Sequence, residues 1–301
     1  MDVSALALTL ASLTLLMFPM ATQADSSSPA LASYYDRHMA LDGDVAHGWT
    51  GSGTPRRMKS GVVQVGTSRD AYFALLADGT LLSWVDAADT ATTLMRNVAR
   101  FAAGASGWFA IDRQAVLWHS AAAAAPRRIA HGVVDASIGD SADYYVTRDG
   151  ALYAHGLAHR GQYGDGRLAT TPSFVATAQE ALAVRAHTGH ALYLRRDGVV
   201  MGTGGNRFGP LSSHGLGDKA DRWGRLFDGA TAIATGSRHS LAIRTDGSLW
   251  AWGAGFNIEP TRVLDKVIAV AAGDTATIAR TSEGALWQWD GGGTPRRLTL
   301  R

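Results

Sequence analysis

A turn signal recurs along this chain at Asp42-Gly43, Asp78-Gly79, Gln114-Ala115, Asp149-Gly150, Asp197-Gly198, Asp246-Gly247 and Glu283-Gly284, with spacings of 36, 36, 35, 48, 49 and 37 residues. A repeat of that period constrains a fold more than any single motif, because each unit must bury its apolar face against its neighbours. Apolar runs flank the turns, as in Leu241-Ala242-Ile243 before Asp246-Gly247 and Leu249-Trp250-Ala251-Trp252 after it. Asp-Gly is a favoured two-residue link between antiparallel strands, since a type I′ turn needs positive φ, so each unit is expected to hold a hairpin. Gln114-Ala115 breaks that chemistry and is expected to be a strained or longer turn.

A third run precedes most hairpins and ends near a glycine, at 62–66, 99–104, 134–139, 230–236 and 267–273. Its small residues suit the strand with least room, nearest the axis of a radial fold. Thr54-Pro55-Arg56-Arg57, Ala125-Pro126-Arg127-Arg128, Glu259-Pro260-Thr261-Arg262 and Thr294-Pro295-Arg296-Arg297 follow their hairpins. Proline and cations suit outer edge strands, where they discourage aggregation. Four strands per unit, seven times over, make the chain all-β: a seven-bladed β-propeller of four-stranded antiparallel blades. The propeller is expected over residues 34–301, after a lead-in at 25–33. The first copy, 34–49, lacks a clear inner strand, for which the segment near Ala30–Ser33 is the candidate.

With 46% hydrophobic and 18% charged residues, the chain has the balance of a globular domain. It has no cysteine, so disulfides and thiolate chemistry are excluded. Residues 1–24 hold an apolar run from Ala5 to Met20 and a small-x-small end, Thr22-Gln23-Ala24. That reads as an export signal, with a short membrane anchor as the alternative because Asp2 stands where a cation is usual. A secreted or periplasmic protein without a stable membrane span after processing is expected. The net charge of +2 gives no reason to expect nucleic acid as a partner.

The pattern Gly236-Ser-Arg-His239-Ser-Leu-Ala, then Asp246-Gly247-Ser-Leu-Trp250-Ala-Trp252-Gly253, resembles the RCC1-type repeat, named for the regulator of chromosome condensation. That family's following loop is echoed by Gly161-Gln162-Tyr163-Gly164 and by Asn206-Arg207-Phe208-Gly209-Pro210-Leu211. The resemblance implies a seven-bladed propeller and leaves function open, since such propellers serve as GTPase exchange factors, chromatin binders, photoreceptors and secreted inhibitors. With an export signal, the reading is a non-catalytic propeller that binds a protein, or else an anionic cell-surface polymer, as a monomer. The alternatives are an exchange-factor-like regulator of a small GTPase and a carbohydrate-active enzyme, which would need a carboxylate pair in the central funnel.

Candidate sites follow from the repeat. The acids at the turn positions are structural, no nucleophile elbow occurs, and no cofactor is implied. His187 and His190, and His155 and His159, have spacings that could suggest metal, but His190 shares the repeat column of His239, so no metal site is expected. Trp84, Trp118, Trp250, Trp252, Trp287 and Trp289 occupy strand columns, whereas Trp49, Trp108 and Trp223 are read as lying off them. The two longest units carry their extra length at 155–172 and 204–225, after the third strand, and long loops on a rigid scaffold are where binding resides. Trp108, His159, Arg160, Tyr163, Arg207, Phe208, Trp223 and Arg238 are therefore expected to form a mixed aromatic and basic recognition patch on that face.

Overall fold

The computed structural model describes residues 30–85, 90–121, 124–212 and 217–300. The leader assigned to 1–24 lies outside the described residues. Among the described residues twenty-eight strands form seven four-stranded antiparallel sheets, each in sequence order. These are the blades: blade 1 spans 31–59, blade 2 62–95, blade 3 98–130, blade 4 133–178, blade 5 181–227, blade 6 230–264 and blade 7 267–298. Among the described residues no helix is long and apolar enough to cross a membrane.

Every gap between neighbouring blades holds its own apolar cluster. Between blades 5 and 6, for instance, Leu192, Leu211 and Phe227 pack on Ile233 and Trp252, and between blades 7 and 1, Trp49 and Leu31 pack on Ile278 and Leu286. This follows from period two: one side of each strand faces the preceding blade and the other the next, so both must be apolar. Close approach at the axis selects glycine at Gly139, where a Cβ would sit 2.6 Å from the His187 carbonyl. The outer strands start right after the prolines, at Arg56–Lys59, Arg127–Ala130 and Arg296–Leu298, and expose their arginines.

The hairpins correct the expected turn type. In most blades the turn glycine donates to the carbonyl three residues back, as Gly79 to Leu76 (2.9 Å) and Gly247 to Arg244 (3.0 Å), and only the glycine has positive φ. That is a type I turn closed by a left-handed residue, a three-residue loop rather than the type I′ link. The aspartate before it accepts the amide two residues on, as Asp78 from Thr80 at 2.8 Å. Blade 1 alone has a two-residue link, with Asp42 paired directly to Val45. Gln114-Ala115 keeps the common geometry: Ala115 takes φ 60°, and Asp112 accepts the amides of Gln114 and Val116 from below.

The inner strand of blade 1 is Leu31–Tyr34, paired with Arg37–Asp42. Among the described residues the ring then closes without strand exchange. Blade 7 meets blade 1 through Trp49 Nε1 donating to Gln288 Oε1 (3.0 Å), Gln288 Nε2 to the Gly51 carbonyl (2.8 Å), and the Asp274 amide to the Tyr35 carbonyl (3.0 Å).

Candidate functional site

In an antiparallel meander the first and third connections of every blade emerge on one face. Two features stand there: a basic groove toward blades 5 and 6, and a polar hub on the axis.

The groove, about 260 Å³, is bordered by Arg160, Arg207, Phe208 and Arg238 and runs inward past Thr188 and Ser237 to Tyr35 and Asp274. Local structure holds each wall. Asn206 accepts the Leu211 amide (2.9 Å) and donates to the Ser212 carbonyl (3.1 Å), which folds 206–212 into a turn with Arg207 and Phe208 exposed at its tip. That turn is pinned from beneath, because Pro210 O accepts from Trp252 Nε1 (2.7 Å) and Ser240 Oγ (2.8 Å) of blade 6. Arg160 rests on Gln162, a buried residue whose Oε1 accepts the Arg160 amide at 2.8 Å. The Arg238 and Arg207 guanidiniums lie 4.9 and 5.8 Å from the centre of the Phe208 ring. Among the described residues none of these three arginines is in an ion pair. The groove is thus a cationic surface around one exposed aromatic ring, and carboxylates complement it.

The hub joins residues far apart in sequence. Tyr34 and Tyr35 of blade 1 both donate to the Asp140 carboxylate of blade 4, Tyr35 at 2.6 Å, and Thr188 of blade 5 donates to it at 3.2 Å. Arg69 donates to the Tyr35 hydroxyl at 2.7 Å and lies over its ring. Burial pushes the Asp140 carboxyl up, but these hydroxyl donors and nearby His187 outweigh it and hold the group below the usual carboxylate range. Burial and Asp140 together raise both tyrosines, so the phenols stay protonated donors.

Of the patch expected from sequence, Arg160, Arg207, Phe208 and Arg238 border one groove. His159 is exposed beside it without lining it. The other three are corrected to packing roles. Trp108 is buried between blades 2 and 3. Tyr163 is fully enclosed, with its hydroxyl donating to the Gly156 carbonyl at 2.7 Å, because the 155–172 loop folds back between blades 4 and 5. Trp223 packs edge-on against Tyr193, with ring centres 4.8 Å apart. Trp49, read as off-column, stands opposite His38 as Trp84 stands opposite Tyr72, and it too is buried. The histidines tie blades together: His190 Nε2 meets Ser240 Oγ at 3.0 Å and His239 Nε2 meets Thr277 Oγ1 at 3.1 Å. Among the described residues no group of three His, Asp or Glu could hold a metal ion. Sequence reasoning missed the hub residues Tyr35, Arg69, Asp140, Thr188 and Asp274. Their signal is positional, since Arg69, Asp140, Thr188 and Asp274 each stand two residues past the end of an inner strand, after Thr67, Ile138, Ala186 and Ala272.

Comparisons with known proteins agree with this architecture. The regulator of chromosome condensation (RCC1) repeat matches residues 230–257. The ultraviolet-B receptor UVR8 of Arabidopsis thaliana is 31% identical over 124 residues, which cover 37% of this chain and only 27% of that protein. Among solved structures, Prp20p of Saccharomyces cerevisiae superposes with a TM-score of 0.69 at 18% identity, over 81% of this chain and 80% of that one. The ectodomain of the Arabidopsis thaliana receptor kinase ACR4 gives a TM-score of 0.62 at 15% identity, over 90% and 98% of the two chains. The chain is a seven-bladed β-propeller, and one stretch of it, residues 230–257, is similar to the RCC1 repeat.

Proposed function

We propose that this chain is an exported, non-catalytic binding propeller that takes an acidic segment of a protein partner into the groove of Arg160, Arg207, Phe208 and Arg238. The observation that carries this reading is the trio of arginines, outside any ion pair among the described residues, around an exposed phenylalanine on a turn held rigid by Asn206 and Trp252. Preorganised cations and an aromatic anchor are the usual ingredients of a binding hot spot. Prp20p, of like fold, is a protein with binding properties to Gsp1p and histones, which supports protein binding as a use of this architecture. Asp140, the acid of the hub, accepts from three hydroxyls, an arrangement suited to holding the face together rather than to proton transfer.

The test is affinity capture from the extracellular and periplasmic fractions of the producing cell, with the wild-type chain and the triple variant Arg160→Ala, Arg207→Ala, Arg238→Ala as baits. A partner captured by the wild type is expected to be lost from the variant and weakened by raised salt. Equal capture by both overturns the groove. N-terminal sequencing of the exported protein checks the leader, with a start after Ala24 expected.

A further inference from the structure

Two of the Pro-Arg-Arg motifs, at 55–57 and 295–297, lie near opposite ends of the chain, and closure of the ring makes them neighbours. They open the outermost strands of blades 1 and 7, Arg56–Lys59 and Arg296–Leu298. At the seam between the two blades Thr54, Pro55, Arg296, Arg297 and Thr299 border a pocket of about 170 Å³. Arg296 Nη2 reaches across the seam to donate to the Ser52 carbonyl at 3.1 Å.

Strand alternation aims charge at this seam, because paired and alternate residues share one face of a sheet. Arg57 pairs with His47, on the face that carries Trp49, and Trp49 packs on blade 7. Arg296 pairs with Gln288, whose side chain bonds Trp49 and Gly51 of blade 1. Both arginines therefore leave their sheets toward the seam, and Arg56, Lys59 and Arg297 flank it. Residues 51–60 and 291–300 contain these five cations and no acid. All five are exposed, and among the described residues none is in an ion pair. Glu283, an acid close enough to feel Arg297, is held by Lys266.

The other outer strands differ. Arg225 of blade 5 is paired with Asp228 and Arg262 of blade 6 with Asp265. Arg127 and Arg128 of blade 3 stand between outer strands, Thr92–Met95 and Thr171–Ala178, that hold no cation. Scattered charges are enough to keep edge strands from pairing with other chains, so the convergence of two blades' cations on one pocket goes beyond that use.

We propose that this seam binds an acidic polysaccharide, with one oxyanion group in the pocket at Arg296 and others against Arg57 and Arg297. Guanidinium forks match sulfate, phosphate and carboxylate oxygens, and Thr54 and Thr299 offer hydroxyls to the sugars. Residues 51–60 and 291–300 expose neither an aromatic ring on which a nucleobase would stack nor a large apolar side chain that would enter a bilayer. The edge strands, of four and three residues and each entered by a proline, are too short to recruit an acidic peptide as an added strand. The seam shares no residue with the groove and does not depend on it.

The test is calorimetric titration of the purified chain with a heparin hexasaccharide, maltohexaose, hexathymidylate and hexaglutamate. The heparin fragment is expected to bind, more weakly as salt is added, and the other three about tenfold or more below it. Arg57→Gln with Arg296→Gln is expected to weaken heparin binding about tenfold or more, since two charge-assisted contacts are lost. Arg127→Gln with Arg128→Gln, which removes the same charge from blade 3, and the groove triple variant are each expected to leave it within about twofold, so failure of the groove and failure of the seam are told apart. Arg56→Gln with Arg57→Gln, which keeps the Arg296 bond to Ser52, decides the matter if the first variant does not fold. No binding of the heparin fragment, undiminished binding by the seam variants, equal losses from the seam and from blade 3, or hexathymidylate or hexaglutamate bound as tightly as heparin overturns the proposal.

Discussion

His38, His190 and His239 are buried histidines whose roles lie between strands and blades, and burial lowers their pKa values to about 4, 3 and 4. Each folded value is below the ordinary 6.5, so the unfolded chain binds protons that the folded one refuses as pH falls from 6.5. Stability is thus complete above about pH 6.5 and is lost on the way down to about pH 4. At pH 5 each group costs about 2 kcal/mol, and the three together about 6 kcal/mol, comparable with the whole stability of an ordinary domain. Asp143 acts in the opposite sense: burial raises it to about 7, so its contribution is full below about pH 4 and is lost as pH rises through 7. One proton against three leaves the histidines in control. Urea midpoints measured from pH 4 to 8 are expected to climb steeply up to about pH 6.5 and then level off; a flat profile below pH 6 contradicts this.

At the scale of the element, the hairpin turn separates what the residues disclose from what they conceal. Ala115 holds the left-handed φ that glycine fills in most other blades, a conformation that costs a Cβ-bearing residue about 1 kcal/mol. Ala115→Gly is expected to stabilise the chain by about 0.5–1 kcal/mol, and Gly247→Ala to destabilise it by at least as much, both read from the urea midpoint. The strands themselves were legible, because alternation and small inner residues follow from blade geometry. The turn type was not: Asp-Gly suits both a two-residue and a three-residue loop, and the Asp78 to Thr80 hydrogen bond selects the latter. Likewise the loop arginines were readable as exposed, whereas Tyr163 and Trp223 were misread because a long loop can fold back between blades, and no periodicity reports that. Trp108 shows the converse limit, a strand residue at the rim of the face whose side chain turns into the gap between blades 2 and 3.

The hub was hidden for a reason that belongs to the whole molecule. Tyr34, Asp140 and Thr188 meet because the ring brings blades 1, 4 and 5 together at the axis, a proximity set by closure and not by sequence distance. Closure here rests on packing and on Trp49, Gln288 and Tyr35, with no strand shared between first and last blades among the described residues. A circular permutant opened at 228–229, between blades 5 and 6, with residue 300 linked flexibly to residue 30, is expected to fold with a melting temperature within a few degrees of the parent. Thermal denaturation checks it, and a permutant that fails to fold shows that the order of blade synthesis matters. Unbroken blades also bear on how such a gene changes length. Duplication or loss of one blade-length stretch of coding sequence leaves every remaining sheet whole, so the number of blades can drift between descendants without any clasp having to be rebuilt.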